Sequence, residues 1–207
     1  MNWLSLLDYA AVFIFALTGA LAASRAQLDI IGFVFMATLT AVGGGTFRDL
    51  MLDRDPVFWI AHPENIAIAC LAAILVFFTA HFVESRARLM LWLDALALGV
   101  AASAGVAVAL EMRFDWPIVL IMGVMTGTFG GLMRDVVANQ VPMVLRQGEL
   151  YVSAAFGGAV AAIGLDMFSG SSLMTFGGCV LTTFVLRAGS ILFGWRLPVY
   201  KSRPPSA

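Results

Sequence analysis

The segment Gly43-Gly44-Gly45-Thr46-Phe47-Arg48-Asp49 stands near the end of a long apolar run and returns farther along as Gly130-Gly131-Leu132-Met133-Arg134-Asp135. The offset carries Asp8 to Asp94, Gly19 to Gly105, Asp29 to Asp115, Gly44 to Gly130, Arg48 to Arg134, Asp49 to Asp135 and Pro56 to Pro142. Glycines, prolines and charges do not recur in register by accident in an apolar chain. An ungapped register of this kind marks an internal repeat, and it constrains the architecture before any element is assigned.

Composition sets the class. Of 207 residues 61% are hydrophobic and 12% charged, and mean hydropathy is +0.93. A soluble domain carries about twice that share of charge. The apolar runs are long rather than alternating, which predicts an all-α integral membrane protein. A span needs about 20 apolar residues, and seven segments qualify: 4–24, 30–51, 64–83, 89–110, 116–137, 150–168 and 172–194. The run Ala20 to Ser24 resembles a signal-peptidase site, but the segment before it has no Lys or Arg, contains Asp8 and has a repeat partner in 89–110, so cleavage is not expected. The short loops leave little room for a soluble active site, and with a net charge of -1 and no basic run except a short tail, no nucleic-acid partner is expected.

Three spans fall in each repeat, and an odd number inverts the second copy relative to the first. The expected organisation is a first three-helix repeat (1–88), an inverted second repeat (89–170), a seventh helix (171–195) and a tail (196–207). Inverted repeats in transport proteins place the substrate path between the copies. Lys and Arg near span ends set orientation. Arg25, Arg86, Arg88, Arg146, Arg196, Lys201 and Arg203 fall on one side, and Arg54 and Arg113 on the other. The amino terminus is therefore expected outside and the carboxyl terminus in the cytoplasm.

The glycines admit two readings. Gly43, Gly44 and Gly45 lie past the bilayer midplane, and Gly123, Gly127 and Gly131 recur every four residues, with Gly130 beside them. A glycine-weakened helix bends or unwinds, and its freed carbonyls are tolerated only where they are buried in protein or line water. Thr38, Thr40, Thr46, Thr126 and Thr128 would add hydroxyls to such a path. Alternatively, the glycines serve only close helix packing. The charges are sharper. Ionisable residues inside spans face a bundle interior or a water path, which predicts two symmetry-related clusters, Asp8/Arg48/Asp49 and Asp94/Arg134/Asp135. The competing reading is a structural ion pair at each helix end, with Arg reaching to headgroups.

The remaining polar residues carry less. Arg187 is a lone charge in the seventh span, expected to snorkel or to meet an acid from another span. Glu64, His62 and His81 read as interfacial, as do Trp3, Trp92, Trp116 and Trp195. Cys70 and Cys179 read as small core residues. Hydrolase, metalloprotease and phosphate-loop motifs are absent, so no enzyme activity, cofactor or metal is expected.

The doubled Gly-Gly-Gly-Thr-x-Arg-Asp and Gly-Gly-x-x-Arg-Asp motif, each copy followed by a proline, resembles the bacterial relatives of the trimeric intracellular cation (TRIC) channels. The resemblance covers about residues 4 to 168. It implies a homotrimer in the bacterial cytoplasmic membrane, with inverted three-helix repeats plus a seventh helix. It implies an hourglass pore in each subunit and passage of monovalent cations, mainly potassium. The pore helices would be the second and fifth spans, kinked at Gly43 to Gly45 and around Gly127 to Gly131. Animal members carry a Lys-Glu-Val element for phosphoinositides; this chain has none, and its one lysine is Lys201. Some bacterial relatives are described as small amino-acid (glycine) transporters, so a secondary carrier for a small zwitterion is the alternative function.

Overall fold

The computed structural model describes residues 3–82 and 85–200, with the side chains of residues 3, 4 and 169 excepted. Lys201, Arg203 and the rest of the tail from residue 201, together with the Trp3 side chain, lie outside the described residues. Within them the chain forms eight α-helices: α1 (Trp3–Arg25), α2 (Ile30–Met51), α3 (Phe58–Ala61), α4 (Glu64–Thr79), α5 (Arg86–Glu111), α6 (Trp116–Val137), α7 (Val152–Ser169) and α8 (Ser172–Phe193). Local chemistry explains several ends. Asp29 caps α2 by accepting from the Gly32 amide at 2.8 Å, Ser85 caps α5, and α6 opens with a proline in its first turn. Six helices are long and apolar enough to cross a membrane: α1, α2, α4 with its following 3-10 turn, α5, α6 and α8. The seventh expected span, α7, is apolar but shorter. At 18 residues it is about 27 Å long, close to the thickness of the hydrocarbon layer.

Helix α5 runs through the middle and packs on α1, α6, α7 and α8. Half of its residues are Ala, Gly or Val, so neighbouring backbones approach closely where lipid provides no hydrophobic drive between helices.

The offset seen in the sequence persists in the backbone. Gln27 and Arg113 share a left-handed conformation (φ 57° and 59°), as do Asp53 and Asn139 (φ 53° and 52°). Beyond each of the second two, the amide of the next residue reaches back into the helix: Arg54 to the Asp49 carbonyl and Gln140 to the Asp135 carbonyl, both at 2.8 Å. Gly19 lies against Met36 and Thr40, and Gly105 against Met122 and Thr126. The contacts between α2 and α6 are reciprocal. Gly44 abuts the Thr126 carbonyl and Gly130 the Thr40 carbonyl, while Gly43 meets Met133 and Phe47 stacks on Phe129 with centroids 4.3 Å apart. As position rises along α2 it falls along α6, so the two helices cross antiparallel.

Both helices continue as α-helix through their glycines. The expected unwound stretch with released carbonyls is absent. The glycines are used for close approach, since at Gly44 and Gly130 the neighbouring carbonyl occupies the place a methyl group would take. Gly44→Ala should cost about 1–3 kcal/mol by overpacking. Gly164→Ala, with nothing within 4 Å of a new methyl, should change stability by less than about 0.5 kcal/mol. Thermal unfolding of the purified protein in detergent measures both.

Candidate functional site

Two charged clusters stand at opposite ends of the α2–α6 seam. In the first, Arg48 donates from Nη1 to Asp8 Oδ1 at 2.9 Å and from Nε to Asp49 Oδ1 at 2.7 Å. The other Asp49 oxygen accepts from the Phe58 amide at 2.7 Å, and the Arg48 guanidinium lies 5.4 Å from the Phe58 ring centroid. Arg54 stands 3.5 Å from Asp49. In the second, Arg134 donates from Nη1 to Asp94 Oδ1 at 2.7 Å and from Nε to Asp135 Oδ1 at 2.8 Å. The second Asp135 oxygen accepts from the Met143 amide at 3.0 Å. Each arginine thus joins its own helix to the preceding span. The sequence-predicted acids and arginines come together as two triads, and neither arginine snorkels: both are fully buried.

The triads differ in two respects. The Asp8 side chain is 14% exposed, whereas Asp94 is fully buried. Arg134 also donates to Thr18 Oγ1 on α1 at 3.0 Å, a bond that ties the second triad to the first half of the chain. The position of Thr18 corresponds to Ala104, which lines a cavity of about 10 Å³ together with Asp8, Phe15, Gly44, Arg48 and Thr126. That volume holds about one water.

The threonines separate into engaged and free. Thr40, Thr46 and Thr128 donate back to the carbonyls of Met36, Val42 and Val124, and Thr46 also accepts from Trp59 Nε1 at 2.9 Å. Thr38 Oγ1 and Thr126 Oγ1 are buried without a hydrogen-bond partner. Of the glycines, Gly45 lies against the Phe58 ring, Gly127 against Leu98 and Ala102, and Gly131 beside the Tyr151 hydroxyl. Sequence reasoning missed Thr18 and Tyr151. Neither repeats its residue type at the offset, so no pattern pointed to them.

Arg187 is a correction. It neither snorkels nor meets an acid from another span. It is 1% exposed, pairs with Glu149 of the α6–α7 loop at 3.0 Å and lies 5.2 Å from the Tyr151 ring centroid. The loop folds back under the helix ends, which brings an acid from outside the spans to a buried guanidinium. His62 and Glu64 are exposed and 3.2 Å apart, and no group of three metal-ligating side chains occurs among the described residues.

A family model described as "Glycine transporter" matches residues 5–81 and again 91–167, each match shifted by the same offset as the charges. The chain belongs to this family. The description is a family label and assigns no substrate to this chain. Among curated relatives, the UPF0126 inner membrane protein YadS of Escherichia coli K12 is 36% identical over 203 residues, covering 94% of each chain. A trimeric intracellular cation channel orthologue from Rhodobacter sphaeroides is similar in structure, with a TM-score of 0.90 and 41% identity, covering 94% of this chain and all of that one. A prokaryotic TRIC channel crystallised in 0.5 M KCl matches with a TM-score of 0.86 and 25% identity, covering 92% and 96%.

Asp94→Ala leaves Arg134 buried and short of a counter-charge, which should cost about 3–5 kcal/mol. Arg54→Ala removes a long contact from a half-exposed side chain and should cost less than about 1 kcal/mol. Comparing yield and unfolding temperature of the two purified variants checks this, and equal behaviour would count against a structural role for the second triad.

Proposed function

We propose that this chain is a cation channel that passes monovalent cations, potassium foremost, down their gradient. In this reading two inverted three-helix repeats place α2 and α6 at the centre of each subunit, and α8 is the seventh span. Reciprocal antiparallel contacts between α2 and α6 support the inversion. The path follows the α2–α6 seam from the Asp8/Arg48/Asp49 mouth to the Asp94/Arg134/Asp135 mouth. The observation that carries the reading is the charge balance of these triads. Each sets two carboxylates against one buried guanidinium; the half-exposed Arg54, 3.5 Å from Asp49, offsets the first, so the excess negative charge that favours cations is strongest at the second.

The likeness to the Rhodobacter sphaeroides channel supports the same function, and its kinship with trimeric channels supports a homotrimer. Both of these similar structures are channels, which argues against an enzyme. The amino terminus would face outward and the carboxyl end the cytoplasm. In support, Arg86 donates to the Ser24 and Ala80 carbonyls, at the ends of α1 and the α4 turn. Arg146 and Arg196 share a cavity with Leu91, near the start of α5. The basic residues therefore gather at one end, as the positive-inside rule requires.

Gly44 against the Thr126 carbonyl, Gly130 against the Thr40 carbonyl and Phe47 stacked on Phe129 close the seam. The glycines are where α2 and α6 would bend on opening, because a helix lacking side chains there meets least resistance. Thr126, with its free buried hydroxyl beside the cavity, would supply an oxygen to the passing ion. Gly43, Gly44 and Gly130 face the seam, while Gly45, Gly127 and Gly131 lie beside it against Phe58, α5 and Tyr151; Thr38 offers a second free hydroxyl. Thr46 and Thr128 are engaged in the closed state.

A planar bilayer under asymmetric potassium chloride should show unitary currents reversing near the potassium equilibrium potential. Thr126→Val should lower unitary conductance severalfold while leaving the fold intact. Saturable uptake of labelled glycine without unitary events would replace the channel by a carrier for a small zwitterion.

A further inference from the structure

Apart from the seam, a cavity of about 230 Å³ opens among the start of α5, the α6–α7 loop, α8 and the stretch after α8. Its lining includes Arg146, Arg187, Arg196, Glu149 and Ser190. Three guanidinium groups against one carboxylate leave two positive charges in excess. Arg187 pairs with Glu149, but its Nε is buried without a hydrogen-bond partner. No ion-pair partner is found for Arg146 or Arg196 among the described residues.

The walls are held in place. The Leu197 amide donates to the Gly148 carbonyl at 2.9 Å, and Glu149 and Arg196 form an antiparallel bridge. The Leu150 amide donates to Ser190 Oγ at 3.2 Å. Gly148 and Gly194 take left-handed conformations (φ 80° and 67°) that turn the two strands of chain toward each other. Trp195, half-exposed beside the cavity, marks the depth of an interface.

Arginines that converge without acids to match call for an anion. A planar fork of N–H donors matches the oxygens of a phosphate. The volume equals that of several waters, at about 30 Å³ each in the liquid, so a phosphate group fits. We propose that this cavity binds a phosphate group, with Arg146 and Arg196 as its principal ligands and the Arg187 Nε as a buried third. The phosphate belongs either to the headgroup of an anionic lipid or to a soluble phosphate. The site is separate from both triads and stands whether the seam conducts or not.

Thermal unfolding of the full-length protein in detergent, titrated with phosphatidylglycerol, phosphatidylcholine or inorganic phosphate, tests this. Phosphatidylglycerol should raise the unfolding temperature and phosphatidylcholine should not. Arg146→Gln and Arg196→Gln should each weaken the apparent affinity about tenfold, the effect of losing about 1.4 kcal/mol. Arg88→Gln, an exposed arginine outside the cavity, should not. If inorganic phosphate reproduces and competes with the effect, the ligand is a soluble phosphate; if only the lipid acts, it is a headgroup. An equal loss in Arg88→Gln, or no response of the wild type to either probe, overturns the proposal. Both cavity arginines are at least partly exposed, so their variants should fold, and an unchanged unfolding temperature without ligand verifies it.

Discussion

The arrangement depends on burying two arginines, Arg48 and Arg134, among apolar helices. A guanidinium in hydrocarbon is tolerated only when its donors meet acceptors of opposite charge. Arg48 and Arg134 each meet two carboxylates, one from the next residue of the same helix and one from a residue 40 positions earlier in the chain. The adjacent aspartate also receives a backbone amide from the segment that follows, Phe58 in one copy and Met143 in the other. One buried charge therefore fixes three pieces of chain: the preceding span, its own helix end and the returning loop. Ion pairs in apolar surroundings contribute little net stability but penalise any arrangement that separates them, and here they select the pairings α1 with α2 and α5 with α6.

Between the triads the fold relies on small residues. Helices in lipid gain from packing rather than from burial of apolar surface, and the glycine contacts let α2 and α6 cross at backbone distance. The same contacts have a second consequence. A seam made of glycine and carbonyl has few side chains to interlock, so parting it forfeits less dispersion energy than parting a leucine seam. Close packing and readiness to open are thus compatible properties of one surface, and the glycines do not have to unwind to serve both.

Much of this was legible in the chain. The repeat stood out because glycines, prolines and charges are rare in an apolar sequence, so their register carries information that the Leu and Ala around them do not. The triads followed from it, because a charge in a span must find a partner and the repeat offered the same partner twice. The role of the glycines was not legible. A run of three permits unwinding and close approach alike, and only the partner helix decides. The environment of Arg187 was hidden for a different reason. Its acid, Glu149, lies in a loop, and span-by-span reasoning pairs spans with spans. Thr18 was invisible because its counterpart is Ala104, so the repeat is silent where the two halves have diverged.

That divergence bears on how the seam could open. Arg48 bonds only within its own half, and the corresponding place in the other half holds a methyl group beside a cavity the size of one water. Arg134 reaches across to Thr18 and so ties α6 to α1. Separating the halves at the first triad breaks no hydrogen bond of its arginine. Separating them at the second strands a donor of a buried guanidinium, and a hydrogen bond to a charged group is worth about 1.5–3 kcal/mol. Two copies that share a backbone plan therefore differ in what it costs to move them apart. Under the channel reading the first end is the one prepared to admit water, and the Thr18 end is the latch.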